Sequence, residues 1–368
     1  MDSISVLIVG PADRKSGGIA RYISAQLRQL DDHLSLDLYS TTTASTDSPL
    51  GFLRGTLDTL AGWIRFPFRA RPDVVHVHTS HYFSFYLSSF YVLYSAYVWN
   101  RPVILHVHGS SFDEFVQDAT GPLAWFQSVV FDAAAAVVVL SDYWKQVLSV
   151  RVAPEKLVVI PNAVATDEYD SHELGETQHL VFVSNHVERK GIVEATEAIA
   201  RLYDEGVQFK TTIAGTGPLS HHAERLAADY DSVEYVGYIS EDEKRALLSE
   251  GSVYLLPTHA EGLPIAILEA MAGGNTIVST TVGSIPSVVD AKNGVLVPPG
   301  DVDALTSALE TVLTDSESTR RMGDASRSRV EAEYSWATVT DDLISLYRRV
   351  LNVSDMRTRP KSTLAVEE

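Results

Sequence analysis

The 368-residue chain is 45% hydrophobic and has a formal net charge of −19, from 29 basic and 48 acidic residues, with no cysteine. Length and apolar content suit two α/β domains of ordinary size. The acidic balance excludes a nucleic-acid partner, whose phosphates need a basic footprint, and the missing thiols exclude disulfides and thiolate metal ligation.

The amino terminus, Met1-Asp2-Ser3-Ile4-Ser5, has neither a basic region nor a cleavage site and leads straight into an apolar run. A cytoplasmic protein is expected. Runs rich in Val, Ile and Leu then alternate with helical patterns. Strands are expected at 6–9, 34–39, 74–78, 103–108, 136–140 and 157–160, and again at 180–183, 211–214, 233–236, 253–256, 276–279 and 295–297. Such alternation implies parallel, doubly wound sheets, and the series occurs twice. Two domains are therefore expected, 1–162 and 163–334, with the hinge in the polar, acidic stretch 161–178. A helix follows at 335–352, and 353–368 has the composition of a disordered tail.

In the first half, Gly17-Gly18 follows the first strand and opens a helix, either as a ligand-approaching backbone or as a tight turn. The segment 55–71 mixes Leu57, Leu60, Trp63, Ile64, Phe66 and Phe68 with Arg65, Arg69 and Arg71, and Arg54 precedes it. That pattern suits either an anionic membrane surface or a helix packed on the sheet. The uncharged stretch 82–99 has the length of a short membrane span, but its hydroxyls and its place between two strands make it a crossover helix. His76-Val77-His78 and His106-Val107-His108-Gly109 end strands, so each histidine pair shares a strand face at the sheet's carboxyl edge. A His-x-His strand also occurs in zinc hydrolases, a reading that leaves the second domain unexplained.

In the second half, the loop 184–191 carries Arg189-Lys190-Gly191 after a strand, as a phosphate-binding turn or a solvated one. Gly215-Thr216-Gly217-Pro218 ends the next strand. Glu261-Gly262-Leu263-Pro264 follows a third, and Pro264 suits a first helical turn. Glu269 is the only charged side chain from Pro264 to Gly274, and its neighbours at helical spacing, Ile265, Ala266, Ala272 and Gly273, are small or apolar. A carboxylate on that face needs a hydrogen-bonding partner. The amides of Gly262 and Leu263 lie at a helix start and suit an anion.

The stretch Glu261-Gly262-Leu263-Pro264 with Glu269 resembles the E-x7-E signature of the retaining family 4 glycosyltransferases, the glycosyl transferases group 1. The resemblance implies the GT-B fold, two Rossmann-like domains facing across a cleft, with the last helix crossing back to the first domain. It also implies transfer of a sugar from a nucleoside diphosphate sugar, needing no metal or other cofactor, to a glycan or lipid-linked acceptor in envelope polysaccharide or glycoconjugate synthesis. His108 and Glu261 then fall at the transferred sugar and Glu269 at the ribose. Lys190, with Arg189 in place of the arginine that Asn185 replaces, falls at the diphosphate, as do Gly17, Gly18, Gly215, Gly217, Gly262, Leu263 and Pro264 around the donor. The Asn185 departure leaves open a non-catalytic partner subunit that binds a nucleotide sugar, and a sugar-nucleotide epimerase is a further alternative. With the 55–71 segment, a peripheral contact with the inner face of the cell membrane is expected.

Overall fold

The computed structural model describes residues 4–11, 17–41, 49–170 and 177–358. Contacts divide the chain into two units. The first comprises residues up to Val139, Lys145–Ile160 and the residues from Thr340 on; the second comprises Leu140–Trp144 and Pro161–Val339.

The first unit contains β1 (Ser5–Gly10), α1 (Gly18–Leu30), β2 (Ser35–Ser40), α2 (Pro49–Arg65), β3 (Val74–Thr79), α3 (Phe83–Tyr97), β4 (Val103–Val107), α4 (Phe112–Gln117), α5 (Gly121–Ala133) and β5 (Ala136–Val139). After α6 (Asp142–Leu148), whose first residues group with the second unit, comes β6 (Leu157–Val159). The sheet order is β2-β1-β3-β4-β5-β6, every pair parallel.

The second unit contains β7 (His179–Val183), α7 (Ile192–Asp204), β8 (Lys210–Ala214), α8 (Ser220–Asp229), β9 (Val233–Gly237), α9 (Glu241–Glu250), β10 (Val253–Leu256) and α10 (Ile265–Ala272). There follow β11 (Thr276–Thr280), α11 (Ile285–Val288), β12 (Gly294–Val297), α12 (Val302–Thr314) and α13 (Ser316–Glu333). Its parallel order is β12-β11-β10-β7-β8-β9. The last helix, α14 (Trp336–Thr358), starts in the second unit and continues into the first.

Both sheets follow from the pattern of apolar runs. Central strands β3, β4, β10 and β11 are buried along their whole length, as parallel strands covered on both faces must be; β4 and β10 read as near-continuous hydrophobic runs, while β3 and β11 also bury His76, His78, Thr79, Thr276, Ser279 and Thr280. The edge strands β2 and β9 alternate exposed and covered positions. Helix α9 starts at a capping box: Glu243 N donates to Ser240 Oγ at 3.2 Å, and Ser240 N donates to the Glu243 carboxylate at 2.7 Å.

Each expected strand is present, within one residue at either end. The tail reading needs correction: helix α14 runs through Thr358, so 353–358 are helical, and 359–368 lie outside the described residues. Helical pairing propagates cheaply once nucleated, and the buried apolar spacing of Leu343, Leu346, Tyr347 and Val350 supplies the packing that carries the helix.

Tyr347 fastens that helix to the first sheet, its hydroxyl 2.7 Å from His76 Nδ1 and 3.1 Å from Gln26 Nε2, with its ring fully buried. Tyr347→Ala should cost about 3 kcal/mol or more by emptying that volume, and Tyr347→Phe only about 1–2 kcal/mol for the unmade hydrogen bonds. Urea unfolding of the two variants checks this; equal losses would contradict it.

Candidate functional site

In the second sheet the strand order reverses between β7 and β10, which pair directly through Leu180 with Val253 and Val181 with Tyr254. Loops leaving such a pair at its carboxyl end part from one another and open a crevice, the usual ligand position of this architecture. The loop after β7 carries Arg189 and Lys190 in a 3-10 turn (Glu188–Lys190), and the loop after β10 carries Glu261.

The two loops are clamped together. His259 N and Thr258 Oγ1 donate to the Arg189 carbonyl at 2.8 and 2.9 Å. Lys190 Nζ donates to Glu261 Oε1, and Arg189 reaches the same oxygen at 3.2 Å while donating to Ala260 O at 2.6 Å. The Glu261 and Lys190 side chains are only 10% and 14% exposed, whereas Arg189 is 45% exposed and keeps donors in solvent. Gly191 makes the close crossing sterically feasible: its φ is +72°, and a Cβ there would lie 2.0 Å from the Pro257 carbonyl oxygen.

The Glu261–Pro264 turn is held by its carbonyls. Trp144 Nε1 and Ser284 N donate to Gly262 O at 3.0 and 3.1 Å, and Asn162 Nδ2 donates to Leu263 O at 2.7 Å. Gly262 and Leu263 are buried, yet among the described residues neither amide donates to a protein acceptor. A buried N–H without an acceptor is rare. Here two of them stand at the start of α10, with Pro264 as the residue before its first turn.

Glu269 lies further along α10 and is 13% exposed. The partner its apolar face demands is Lys244 of α9, at 2.7 Å, which also meets Glu241 at 2.6 Å. Burial, then the charge of Glu269, pushes the Tyr169 phenol well above its usual range. Gly215 and Gly217 have a packing role: a Cβ would lie 1.8 Å from Ser184 O at the first and 2.3 Å from His186 O at the second, so the β8 turn nests on the β7 loop.

In the first unit, Gly17 and Gly18 are exposed at the start of α1, and among the described residues no atom lies within 4 Å of an added Cβ; Gly17 has φ +93°. His108 follows β4. Its amide donates to Thr79 O at 2.9 Å, its Nε2 lies 2.9 Å from His78 Nδ1, and its ring stacks on His106 at 4.1 Å. Behind it, His76 Nε2 meets His106 Nδ1 at 3.2 Å, and the rings of His76 and His78 stack at 4.4 Å. Nitrogens of His76, His78 and His106 come within 4.8 Å of one another. The contacts made with each other and with Tyr347 tie them into a hydrogen-bonded ladder. Burial holds His76 down to about 3, and burial with the neighbouring rings holds His78 and His106 well below the usual histidine range, so the ladder is neutral.

The structure thus brings Arg189, Lys190, Glu261, Gly262, Leu263 and Pro264 together, and puts Glu269 with Lys244. Sequence reasoning missed Lys244, Trp144 and Asn162 as supports. Only Lys244 left a signal, since Glu269 required some partner.

Comparison with known proteins fits this architecture. The family description "Glycosyltransferase Family 4" matches residues 16–168, and "Glycosyl transferases group 1" matches residues 177–315. The MMP alpha-(1->4)-mannosyltransferase of Mycolicibacterium hassiacum is 29% identical over 69% of this chain and 60% of its own length. The putative colanic acid biosynthesis glycosyltransferase WcaL of Salmonella typhimurium is 30% identical over 57% of this chain and 56% of its own. The chain therefore spans less than two thirds of these relatives. Among solved structures, sucrose-phosphate synthase from Thermosynechococcus elongatus superposes with a TM-score of 0.78 at 18% identity, covering 95% of this chain and all of the other. Anabaena HepE in complex with UDP gives 0.71 at 14% identity, over 94% of this chain and all of that one. At such identities the likeness shows the fold, which is GT-B.

The neutral histidine ladder has a consequence for acid stability. These histidines titrate near 6.5 when unfolded and far lower when folded. Between those values the unfolded state binds protons that the folded state refuses, so stability falls as pH drops from about 6.5 towards about 3, by up to about 1.4 kcal/mol per pH unit for each such histidine. Melting temperature followed against pH should show that slope, reduced in His76→Gln; an unchanged slope would count against a neutral ladder.

Proposed function

We propose that this chain, which belongs to the family 4, group 1 glycosyltransferases, transfers a sugar from a nucleoside diphosphate sugar to a glycan or lipid-linked acceptor, with retention of anomeric configuration. The observation that carries this reading is the cluster at the β7/β10 reversal: two cations, one carboxylate and two buried amides without protein acceptors. An anionic, hydroxyl-rich ligand satisfies all of them at once.

In this reading the departing diphosphate takes the charge of Lys190 and Arg189 and the amides of Gly262 and Leu263. Donors fixed in advance where negative charge develops commonly contribute more to catalysis than any other single effect. Glu261, within reach of both cations, orients them before the donor arrives and accepts hydrogen bonds from the donor sugar once the diphosphate has engaged Lys190. Glu269 accepts from the ribose hydroxyls, its carboxylate held by Lys244. His108, its Nε2 fixed by His78, supports the sugar as its anomeric carbon becomes cationic. Gly17, Gly18, Pro264, Gly215 and Gly217 shape the backbone around the donor. The cations and amides perform the neutralisation that a metal performs elsewhere.

A route to an envelope polysaccharide or glycoconjugate is supported by the relatives named above. A peripheral membrane contact is supported by α2 and the turn after it: Leu57, Leu60, Ile64 and Phe68 are exposed, Phe68 at 85%, beside exposed Arg65, Arg69 and Arg71. Apolar side chains flanked by arginines on a protein of charge −19 suit an anionic lipid surface. Among the described residues no helix is long and apolar enough to cross a membrane.

Thermal shift with UDP-, GDP- and ADP-sugars tests the donor site. One of them should raise the melting temperature by mass action, and Lys190→Ala should abolish that rise. Glu261→Ala should lower slow donor hydrolysis by about 10²-fold or more. No stabilising donor, together with wild-type behaviour of Lys190→Ala, would refute the site. Proton NMR of the product's anomeric centre checks retention. For the membrane contact, sedimentation with anionic vesicles should fall at least several-fold in the Ile64→Glu, Phe68→Glu double variant; equal sedimentation would remove that contact.

A further inference from the structure

Two segments remote in sequence from the donor loops converge on one peptide of the Glu261–Pro264 turn. The first is Leu140–Trp144, a short excursion that groups with the second unit although the residues on either side of it belong to the first. The second is Val282-Gly283-Ser284, the turn between β11 and α11. Their contacts form a closed circuit. Trp144 Nε1 donates to Gly262 O at 3.0 Å, Ser284 N donates to the same oxygen at 3.1 Å, and the hydroxyls of Ser141 and Ser284 meet at 2.6 Å. Trp144 N completes it by donating to Ser141 Oγ at 3.4 Å. Trp144 is 2% exposed and Ser284 is fully buried. Gly283 permits the approach: its φ is +54°, and a Cβ there would lie 1.9 Å from Glu261 O.

A trans peptide is planar, and its C=O and N–H point in opposite directions. Holding Gly262 O against Trp144 and Ser284 therefore aims Leu263 N–H to the other side, where it meets no protein acceptor among the described residues. Both lone pairs of the oxygen are in use. Rotation of this peptide, which the glycine at 262 makes cheap, would put a carbonyl oxygen where the N–H stood. For an anion, that exchanges an attractive dipole for a repulsive one. Two hydrogen bonds to the oxygen also polarise the peptide and strengthen the opposite N–H as a donor. We propose that Trp144 is a positioning residue for the departing diphosphate: its indole N–H holds the Gly262–Leu263 peptide in the orientation that presents the Leu263 amide to a phosphate oxygen. The inference rests on the donor-site reading above, and it adds the side chain that sets the direction of that amide. A buried indole N–H needs an acceptor, and here the acceptor is the one carbonyl whose rotation would matter to the ligand. The excursion of Leu140–Trp144 into the second unit thereby acquires a purpose, since it delivers that donor.

An isosteric replacement separates the N–H from the ring. Benzothienylalanine, introduced at position 144 by amber suppression, keeps the bicyclic shape and lacks only the N–H; Trp144→Phe removes the N–H together with some volume. UDP, GDP and ADP, and the nucleosides uridine, guanosine and adenosine, are titrated into the full chain by ligand-observed NMR. The diphosphate that binds wild type should bind both altered proteins about tenfold more weakly. Its nucleoside, which carries no phosphate for the amide to meet, should bind the benzothienylalanine protein and wild type alike. An indole that merely supports the fold predicts a different pattern, in which nucleoside and diphosphate weaken together. Unchanged diphosphate affinity in the benzothienylalanine protein would overturn the proposal, as would equal weakening of diphosphate and nucleoside. Either result includes a diphosphate bound by wild type, so it rejects the role of Trp144 and leaves the donor site standing. A wild type that binds none of the diphosphates rejects the donor-site reading, and the positioning role with it.

Discussion

The Glu261 carboxylate, held by Lys190 and Arg189 where the second sheet reverses its strand order, is the interaction on which the site depends. Strands β7 and β10 lie side by side, but the chain leaves them for opposite halves of the sheet, so nothing in the sheet brings their loops back together. The Arg189 carbonyl, taken by His259 and Thr258, and the Gly191 crossing under Pro257 join them instead. Once the loops are joined, two cations and an acid share one small volume, with Lys190 and Glu261 largely withdrawn from water and Arg189 still reaching it. In a chain with 48 acidic residues, this concentrates scarce positive charge at a chosen point. These hydrogen bonds and ion pairs hold the cluster together without a ligand.

The first unit treats polar groups in the opposite way. Its sheet buries the imidazoles of His76, His78 and His106 and keeps them neutral, first through burial and then through the repulsion of neighbouring rings. His108 stands at the outer end of this ladder, hydrogen-bonded to a neutral His78. A neutral neighbour fixes the ring's orientation without imposing a charge on it. The second unit positions charges; the first positions dipoles and hydroxyls.

Much of this was legible in the sequence because parallel strands are covered on both faces. Continuous apolar runs such as Val103–Val107 and Val253–Leu256 have no other comfortable place in a two-domain chain of this size. The Glu261 motif was legible because its glycine, proline and lone distant acid fit only a strand-to-helix turn. Lys244 was not: it lies within Glu241-Asp242-Glu243-Lys244-Arg245, which reads as a solvated helix face, and only the packing of α9 beside α10 turns it inward. Nor was the grouping of Leu140–Trp144 with the second unit, because local periodicity carries no information about which core an apolar side chain joins. Gly215 and Gly217 suggested ligand approach, and the structure adds a backbone approach that requires them in any case.

The return of α14 makes the second unit an insertion within the first. Residues up to Val139 emerge from the ribosome long before Tyr347, whose hydroxyl meets Gln26 and His76. The half synthesised first is therefore completed only after Tyr347 has been made, and until then Gln26 and His76 lack the hydroxyl that they share in the folded protein.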